Sequence, residues 1–201
     1  MFFSLWLACA ASVAPSAPSD DDAPAAIPAA APGQEVAVLA GGCFWCLESD
    51  LDHVDGIVAT TSGYAGGNIA NPGYHLVGAG VTGHAEVVRV VFDPVKIPYD
   101  KLLDVFFHHV DPTDAGGQFC DRGSQYRTAV FAQNEAQLAV ATQKKAEVEA
   151  KLGPIATELV MDPTFYAAEN YHQDFWKTTP GRYQSYRLGC GRDARVAEVW
   201  K

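Results

Sequence analysis

Short apolar runs alternate with longer amphipathic segments along most of the chain. Apolar runs rich in β-branched residues predict strands, which fall at 35–40, 56–62, 85–92, 126–132 and 155–161. Helical spacing and cap residues predict helices, which fall at 43–52, 99–109, 135–152 and 163–176. Because strands and helices alternate, we expect an α/β (α+β) fold, a two-layer sandwich with helices packed on a mixed central sheet.

Two glycine-rich stretches show neither the strand period nor the helix period. They cover residues 63–83 and 111–125 and also contain Asn, Pro or Asp. Long ordered loops of this kind are often functional. From residue 178 onward the sequence is again rich in glycine, and we expect an irregular C-terminal tail.

The first 34 residues differ in composition from the rest of the chain. Residues 1–13 are apolar but lack the basic residues of an export signal, and Cys9 follows a Leu-Ala pair as in a lipoprotein processing site. Residues 10–33 are rich in Ala, Pro and Ser, a composition that predicts a disordered spacer. We therefore expect an export-like or lipoprotein-like signal and spacer at 1–34 and a folded domain at 35–201.

This N-terminal segment also predicts where the protein acts. An export signal predicts a periplasmic or other extracytoplasmic location. Lipidation of Cys9 would attach the protein to a membrane surface. If residues 1–34 are a mis-assigned start, the alternative is a cytoplasmic location.

Charge and cysteine content narrow the classes of function. The formal net charge of −10 argues against a nucleic-acid partner, because phosphate contacts need clustered Lys and Arg. No stretch reaches the roughly 18–20 apolar residues of a membrane-spanning helix. An odd number of cysteines, five, suggests at least one thiol kept for reaction. They are Cys9, Cys43, Cys46, Cys120 and Cys190.

Cys43 follows a predicted buried strand and two glycines, and it opens a predicted helix. The free N–H groups and partial positive charge at a helix N-terminus stabilise a thiolate, and the thiolate is the nucleophilic form. The large apolar residues Phe44 and Trp45 follow in the same turn. We therefore predict that Cys43 is reactive. Cys46 lies on the same helical face, which leaves open a dithiol pair or two packed core thiols.

Glu86 is the second candidate for chemistry. On an alternating strand its side chain shares a face with Val88, Val90 and Phe92, so the carboxyl points to an apolar side. Desolvation there would raise its pKa and let it hold a proton at neutral pH, as a general acid requires. On this pattern alone, however, a strand-end Glu that turns to solvent is the better interpretation.

The remaining polar candidates give weaker signals. Tyr74, Asp121 and Tyr126 lie in or beside the two predicted loops. On sequence alone, structural roles are the better interpretation. Tyr74 would be an aromatic packed under a loop, Asp121 a turn residue and Tyr126 the first residue of a strand. The histidines, His84 among them, show no partner set at ligand spacing, and a zinc site would need a second close pair of ligands beside the Cys-x-x-Cys. We therefore expect no metal.

Six segments of the chain occur in the order found in a known family. They are GGCFW at 41–45, GYAGG at 63–67, NPGY at 71–74, GVTGHAE at 80–86, DRGSQYR at 121–127 and AENYHQ at 168–173. Together they resemble A-type peptide methionine sulfoxide reductase, which reduces the S epimer of methionine sulfoxide. The resemblance covers about residues 35–200, and its Gly-Cys-Phe-Trp and Gly-His-Ala-Glu segments are each specific. It implies an α/β two-layer core and makes 35–201 a catalytic domain.

The resemblance implies a role for each matched catalytic position. Cys43 would attack the sulfoxide sulfur, and Glu86 would give a proton to the sulfoxide oxygen. Tyr74 and Tyr126 would hydrogen-bond that oxygen, and Asp121 would support the polar side of the site.

The resemblance also implies how the substrate is bound. Phe44 and Trp45 would form the apolar wall that holds the S-methyl group. Gly42 and His84, which stand in the two specific motifs, are expected at the same substrate site. The substrate would be methionine sulfoxide, either free or within proteins.

The implied reaction leaves Cys43 as a sulfenic acid. A second thiol would condense with it, and an external thioredoxin-like dithiol would restore the enzyme with no metal or organic cofactor. We rank Cys190 first as the resolving thiol because its glycine-flanked tail can move, ahead of Cys46 and Cys120. We expect a monomer. The competing interpretation is a thioredoxin-like dithiol exchange protein that uses Cys43 and Cys46.

Overall fold

The computed structural model describes residues 20–161 and 163–201, and the predicted strand patterns form a central sheet there. Its strands are β1 (Glu35–Gly41), β2 (Ile57–Ala65), β3 (Ala85–Phe92), β6 (Thr128–Ala132), β7 (Glu158–Met161) and β8 (Tyr166–Ala167), and a separate ribbon pairs β4 (Gly117–Gln118) with β5 (Asp121–Arg122). The sheet order is β7-β6-β1-β3-β2-β8. Among the described strands, only β6 and β7 run parallel, so the sheet is mixed, as predicted.

Helices cover one face of this sheet. In the described residues they are α1 (Phe44–Asp52), α2 (Tyr74–Gly78), α3 (Tyr99–Phe107), α4 (Glu135–Leu152), α5 (Phe175–Thr178), α6 (Pro180–Cys190) and α7 (Arg192–Val199). Apolar residues of β1 and β3 pack on α1, α3 and α4 in the main core, with Leu39, Val88 and Leu47 fully buried. The predicted two-layer arrangement of helices on a mixed sheet is therefore confirmed.

The opposite face of the sheet carries a smaller apolar cluster that includes Val38, Val87 and Phe131. Arg89 lies on this side of β3, where its guanidinium donates to the carbonyl of Pro28 at 2.8 Å. Residues 20–34, the described part of the predicted spacer, thus contact the domain, which differs from a disordered segment. Backbone hydrogen bonds explain the difference, because they hold a sequence that buries little apolar surface of its own.

Two segments fold differently from their sequence patterns. The helix predicted at 163–176 is wrong, since this stretch contains β8, a 3-10 turn at Asn170–His172 and the start of α5. The irregular tail predicted from residue 178 is also wrong, because α5, α6 and α7 occupy most of it. These helices are held by ion pairs and aromatic contacts rather than by an apolar stripe, so hydrophobic periodicity gives no signal for them.

Part of the N-terminal prediction lies outside the residues that the structure describes. Cys9 and the apolar segment 1–13 lie outside the described residues. Across 20–161 and 163–201, none of the helices combines the length and apolar character needed to cross a membrane.

Candidate active site

Cys43 stands at a strand–glycine–helix junction, as its sequence context predicts. β1 ends at Gly41, and Gly42 follows with a positive φ of 81°. A Cβ on Gly42 would come within 2.6 Å of the Gln118 Cβ, so both the backbone angle and the space require glycine. Cys43 is then the N-cap of α1 and is only 7% exposed.

Glu86 reaches the same point from β3. Its carboxylate accepts a hydrogen bond of 3.0 Å from the backbone N–H of Phe44, the first residue of α1. The side chain is 2% exposed, and burial, with smaller contributions from Asp121 and Cys46, raises the pKa of Glu86 to about 8. Glu86 therefore carries a proton at neutral pH and points into the site rather than to solvent.

The two neighbouring thiols share one hydrogen bond. Burial, with smaller contributions from Cys46 and Glu86, raises the pKa of Cys43 well above its ordinary value. The hydrogen bond from Cys43 is the largest influence that lowers the pKa of Cys46, followed by the charges of Arg192 and Arg187. The Cys43 thiol therefore ionises less readily than the Cys46 thiol beside it.

The raised pKa of Cys43 differs from the expectation that the helix N-terminus favours its thiolate. The first backbone N–H of α1 donates to Glu86 rather than to Cys43. Burial of Cys43 raises its pKa by more than the partial positive charge of the helix N-terminus lowers it. Cys43 becomes a nucleophile only when its proton is taken up during the reaction.

A small cavity opens above the Cys43 sulfur. It is lined by Cys43, Phe44, Trp45, Tyr74, Glu86, Asp121, Tyr126 and Tyr186. Burial, with smaller contributions from nearby acidic groups, raises the pKa of Tyr74 to about 12 and raises that of Tyr126 as well. Both hydroxyls therefore stay protonated at physiological pH and can donate hydrogen bonds to an oxygen in the cavity.

The polar side of the cavity contains a hydrogen-bonded pair. The Tyr186 hydroxyl donates to the Asp121 carboxylate and also lies within hydrogen-bond range of Cys43. Burial raises the pKa of Asp121, while this hydrogen bond lowers it. Tyr186 comes from α6, in the segment predicted to be irregular, and no sequence signal pointed to it.

Glu169 holds the segment that carries Tyr74. One of its carboxylate oxygens accepts the backbone N–H of Tyr74 at 2.9 Å, and the other accepts the Tyr64 hydroxyl at 2.8 Å. The start of α2 is therefore tied to β2 through one carboxylate. Glu169 falls within the AENYHQ segment, but sequence reasoning gave it no role.

Trp45 is fixed on both its edge and its face. Its indole N–H donates to the Nδ1 of His172 at 3.0 Å, and its ring stacks on Phe175 with centroids 3.8 Å apart. Burial lowers the pKa of His172 to about 4, so the imidazole is neutral and can accept this bond. The apolar wall of the cavity is thus rigid before any ligand binds.

Two residues expected at the substrate site do not line the cavity. Gly42 packs on Gln118, and neither it nor His84 is among the residues that line the cavity. The His84 ring is buried against Gly67 and the edge of Tyr166. His84 directly precedes β3, and its ring packs against residues that do not line the cavity.

The structure pairs Cys190 with Cys120 in a disulfide whose Cα atoms are 4.8 Å apart, a usual separation. Cys43 and Cys46 are free thiols. Cys190 is the last residue of α6 rather than part of a loose tail. Cys190 was ranked above Cys46 and Cys120 because its tail was expected to be irregular and mobile, and the structure does not support that reason.

The C-terminal helices are anchored to α1 by a buried carboxylate. Asp50 lies 2.7 Å from the guanidinium of Arg187 and 3.3 Å from that of Arg192. Arg192, only 2% exposed, also donates to the carbonyls of Gly41 and His109 at 3.1 and 2.8 Å. α6 and α7 are thereby fixed against the strand end that leads into Cys43.

These features define a class of site. A thiol at a helix start, a protonated carboxyl, two hydroxyl donors and a rigid aromatic wall surround one small cavity. The donors can stabilise charge on a polar oxygen while the thiol attacks the atom that carries it. The arrangement is that of a thiol-dependent oxidoreductase.

The family follows from comparison with known proteins. The family model described as peptide methionine sulfoxide reductase matches residues 35–201. The chain is 51% identical over 175 residues to peptide methionine sulfoxide reductase MsrA 2 of Rhizobium meliloti, covering 87% of each chain. The chain therefore belongs to the peptide methionine sulfoxide reductase family.

Two solved structures of Mxr1 from Saccharomyces cerevisiae are similar in fold. The reduced form is 34% identical, covers 76% of this chain and 90% of its own, and aligns with a TM-score of 0.72. The form in complex with Trx2 is 27% identical, covers 73% and 88%, and aligns with a TM-score of 0.54. These matches agree with the mixed α/β sandwich described above.

Proposed function

We propose that this reductase acts on the S epimer of methionine sulfoxide, with Cys43 as nucleophile and Glu86 as proton donor. Membership of the family makes the chain an enzyme that reduces methionine sulfoxide. The observation that carries the residue roles is the convergence of Cys43 and the protonated Glu86 on one cavity, joined through the Phe44 amide. The aromatic wall would receive the S-methyl group, which leaves the sulfoxide oxygen facing the donors.

The first step transfers one oxygen atom. Sulfoxide oxygen leaves poorly until it is protonated, and Glu86 holds the proton it needs. Hydrogen bonds from Tyr74 and Tyr126 stabilise the charge that changes on that oxygen. The Cys43 sulfur attacks the sulfoxide sulfur, and the thiol proton is released to restore Glu86. The protonated oxygen then moves from the substrate sulfur to the Cys43 sulfur as the bond between the two sulfurs breaks, which leaves methionine and a Cys43 sulfenic acid.

The second step removes the oxygen as water. Cys46 lies beside Cys43, and its pKa is lowered by that neighbour while the pKa of Cys43 is raised, so Cys46 is the thiol best placed to ionise and attack the sulfenic sulfur. A Cys43–Cys46 disulfide and one water result. Because Cys190 is engaged with Cys120, we now place Cys46 first among the candidate resolving thiols.

A dithiol protein of the thioredoxin type would then reduce the enzyme. Support comes from the similar Mxr1 structure, which is in complex with Trx2. A methionine sulfoxide reductase needs two electrons in each cycle, and a dithiol supplies both. The site is built from a single chain, so we propose that the monomer is active, and sedimentation at working concentration tests that point.

One assay separates this function from simple dithiol exchange. The protein is incubated with a peptide that carries either epimer of methionine sulfoxide, with dithiothreitol as reductant. Methionine formed from the S epimer alone is the expected result. Reduction of disulfide substrates with no methionine from either epimer would favour the exchange protein instead, an interpretation already opposed by the burial of Cys43 and Cys46.

We also propose that residues 1–34 direct export, with the lipid-anchored form depending on Cys9. The support is compositional: an apolar start, a Cys after Leu-Ala and a spacer rich in Ala and Pro. Cell fractionation of the full chain tests the location. Cys9→Ala should release a lipid-anchored protein from the membrane and should not change the location of a simply exported one.

A further inference from the structure

Tyr186 brings the C-terminal helix α6 to the cavity that holds the Cys43 sulfur. It lines this cavity together with Glu86 and Asp121. Its ring lies edge-on to that of Trp45, with centroids 5.8 Å apart. The reaction steps given above assign Tyr186 no part, although its hydroxyl contacts two of the polar groups that face the substrate.

The Tyr186 hydroxyl stands between a thiol and a carboxylate. It donates to the Asp121 carboxylate and also lies within hydrogen-bond range of the Cys43 sulfur. A hydroxyl has a single O–H to donate but can accept at its oxygen. While its proton is directed to Asp121, the Tyr186 oxygen can therefore only accept from Cys43. The three groups form a chain that runs from thiol through hydroxyl to carboxylate.

Burial limits where negative charge can be placed in this chain. Burial raises the pKa of Asp121. Burial, followed by Cys46 and Glu86, also raises the pKa of Cys43. The Tyr186 hydroxyl acts in the opposite direction and lowers the pKa of Cys43. A second negative charge beside the Asp121 carboxylate is unfavourable in such a site, whereas moving one charge from Asp121 to Cys43 adds none.

We propose that Tyr186 and Asp121 together take the thiol proton from Cys43. This rests on the proposed function, in which Cys43 gives up its proton to attack the sulfoxide sulfur. The S–H bond of Cys43 breaks and an O–H bond forms on Tyr186, while the original Tyr186 proton passes to a carboxylate oxygen of Asp121. The Tyr186 hydroxyl then donates to the thiolate, and the negative charge has moved from Asp121 to Cys43.

The proton received by Asp121 also has a destination. Glu86 becomes charged when it gives its own proton to the sulfoxide oxygen, and it lines the same cavity as Asp121. Transfer of the proton from Asp121 to Glu86 returns both carboxyl groups to their starting states. Tyr186 is a catalytic residue in this scheme, because its hydroxyl touches the reacting sulfur.

Covalent and ionic links hold Tyr186 in place for this transfer. The disulfide joins Cys120, the neighbour of Asp121, to Cys190, which lies one turn beyond Tyr186 on α6. Arg187, the next residue of α6, is ion-paired with α1 at 2.7 Å. The hydroxyl, the carboxylate and the start of α1 are therefore fixed relative to one another.

The parent protein alone gives the first test. The full-length chain, with Cys43 and Cys46 as free thiols, is treated with iodoacetamide, and peptide mapping gives the rate of alkylation at Cys43. An internal transfer neither takes up nor releases a proton, so this rate should stay nearly constant between about pH 6 and pH 7.5. A rate that rises about tenfold per pH unit, as for a thiol that ionises to solvent, would overturn the proposal.

Other titratable groups face the Cys43 sulfur and could affect this profile. They are Cys46 on α1, Tyr74 on α2, Glu86 on β3, Asp121 on β5, Tyr126 in the 3-10 turn before β6 and Tyr186 on α6. Burial keeps the three tyrosines protonated over this range. Repeating the measurement with Cys46→Ser removes the neighbouring thiol, and the rate at Cys43 should again be nearly constant.

Two substitutions interrupt the chain at different points. Tyr186→Phe removes the hydroxyl, and Asp121→Asn keeps the shape of the side chain but does not take up a proton. In either variant, alkylation of Cys43 should become pH-dependent, and single-turnover methionine formation from the S epimer should slow by roughly 10²-fold. The double variant should be no slower than the slower single variant, since both act on one route. A constant alkylation rate in either single variant, or losses that multiply in the double variant, would overturn the proposal.

Tyr183→Phe is the matched control on the same helix. The Tyr183 hydroxyl accepts a hydrogen bond from Arg187 at 3.0 Å, and Tyr183 does not line the cavity. This variant should keep the constant alkylation rate and the parent rate of methionine formation. A loss equal to that of Tyr186→Phe would show that the packing of α6 sets the reactivity, against the proposal. If the parent formed no methionine, the proposed function would fail, while the alkylation profile would still decide the route of the proton.

Discussion

Two buried carboxyl groups serve α1 in opposite ways. Glu86 meets the N-terminal end of the helix, where it accepts the Phe44 amide and, among the described residues, has no ion-pair partner. Asp50 lies within the helix and is held between Arg187 and Arg192. Burial without a cation makes Glu86 a proton donor, whereas burial with two cations makes Asp50 an anchor. The surroundings, rather than the carboxyl itself, decide the function.

The largest expected effect comes from removing the thiol that Glu86 serves. Cys43→Ser should lower reduction of the S epimer by about 10⁴-fold or more, because serine is hardly ionised at neutral pH and cannot form a sulfenic acid. Single-turnover methionine formation measures the effect. Circular dichroism and Tm should match the parent, and substantial turnover by a folded Ser variant would reject Cys43 as nucleophile.

The next effect tests the proton on Glu86. Glu86→Gln should slow the reductase step by roughly 10²–10⁴-fold, since the amide keeps the shape but does not transfer a proton readily. In the parent the rate should fall as pH rises above about 8, where Glu86 becomes charged. The Gln variant should lose that dependence. An unchanged single-turnover rate would remove Glu86 from the mechanism.

The matched change at the other carboxyl should affect stability instead. Asp50→Asn leaves Arg187 and Arg192 without their shared anion and should lower the free energy of unfolding by about 3 kcal/mol. Denaturant unfolding gives this value. Because Asp50 lies outside the cavity, the single-turnover rate of the folded variant should change far less than that of Glu86→Gln. If Asp50→Asn and Glu86→Gln lowered the single-turnover rate by similar factors, the assignment of Asp50 to stability and Glu86 to catalysis would be wrong.

The smallest effect concerns stability against pH. The pKa of Glu86 is raised from 4.5 to about 8 in the folded protein, and burial raises that of Glu48 equally. Their contribution to stability is full below pH 4.5 and is lost as pH rises through about 8. Glu86→Gln should therefore gain stability relative to the parent as pH rises from 5 to 8, because the amide does not ionise. The prediction would be contradicted if the difference in unfolding free energy between Glu86→Gln and the parent were the same at pH 5 and at pH 8.

Sequence reasoning located the site residues that lie on elements whose pattern is clear from neighbouring residues alone. An apolar strand, two glycines and a helix start placed Cys43, and strand alternation put Glu86 on the side of the sheet that the helices cover. Such signals need only neighbouring residues. The choice between a solvent-facing and a buried Glu86 still required the Phe44 amide, which only the folded chain brings to it.

The parts that were missed depend on contacts between distant segments. Tyr186 joins Asp121 across 65 residues, and Arg192 reaches the Gly41 carbonyl across 151. Neither residue stands out in sequence, because α6 and α7 lack a wide apolar stripe. The glycines within and directly after α6 suggested a loose tail. Cys190 was ranked first as the resolving thiol because of that expected loose tail. The wrong prediction of the tail therefore also removed the reason for this ranking.

Two backbone hydrogen bonds tie residues 23–25 to the segment that contains Glu169. Ala25 donates to the carbonyl of Ala168 and Asn170 donates to that of Ala23, each at 2.9 Å, on either side of Glu169. A chain trimmed to Glu35 would keep every strand of the sheet and lose both supports beside the carboxylate that positions Tyr74. The sheet therefore starts later in the chain than the segment that supports the active site. A protein trimmed to its first strand would hold Glu169, and with it Tyr74, less firmly.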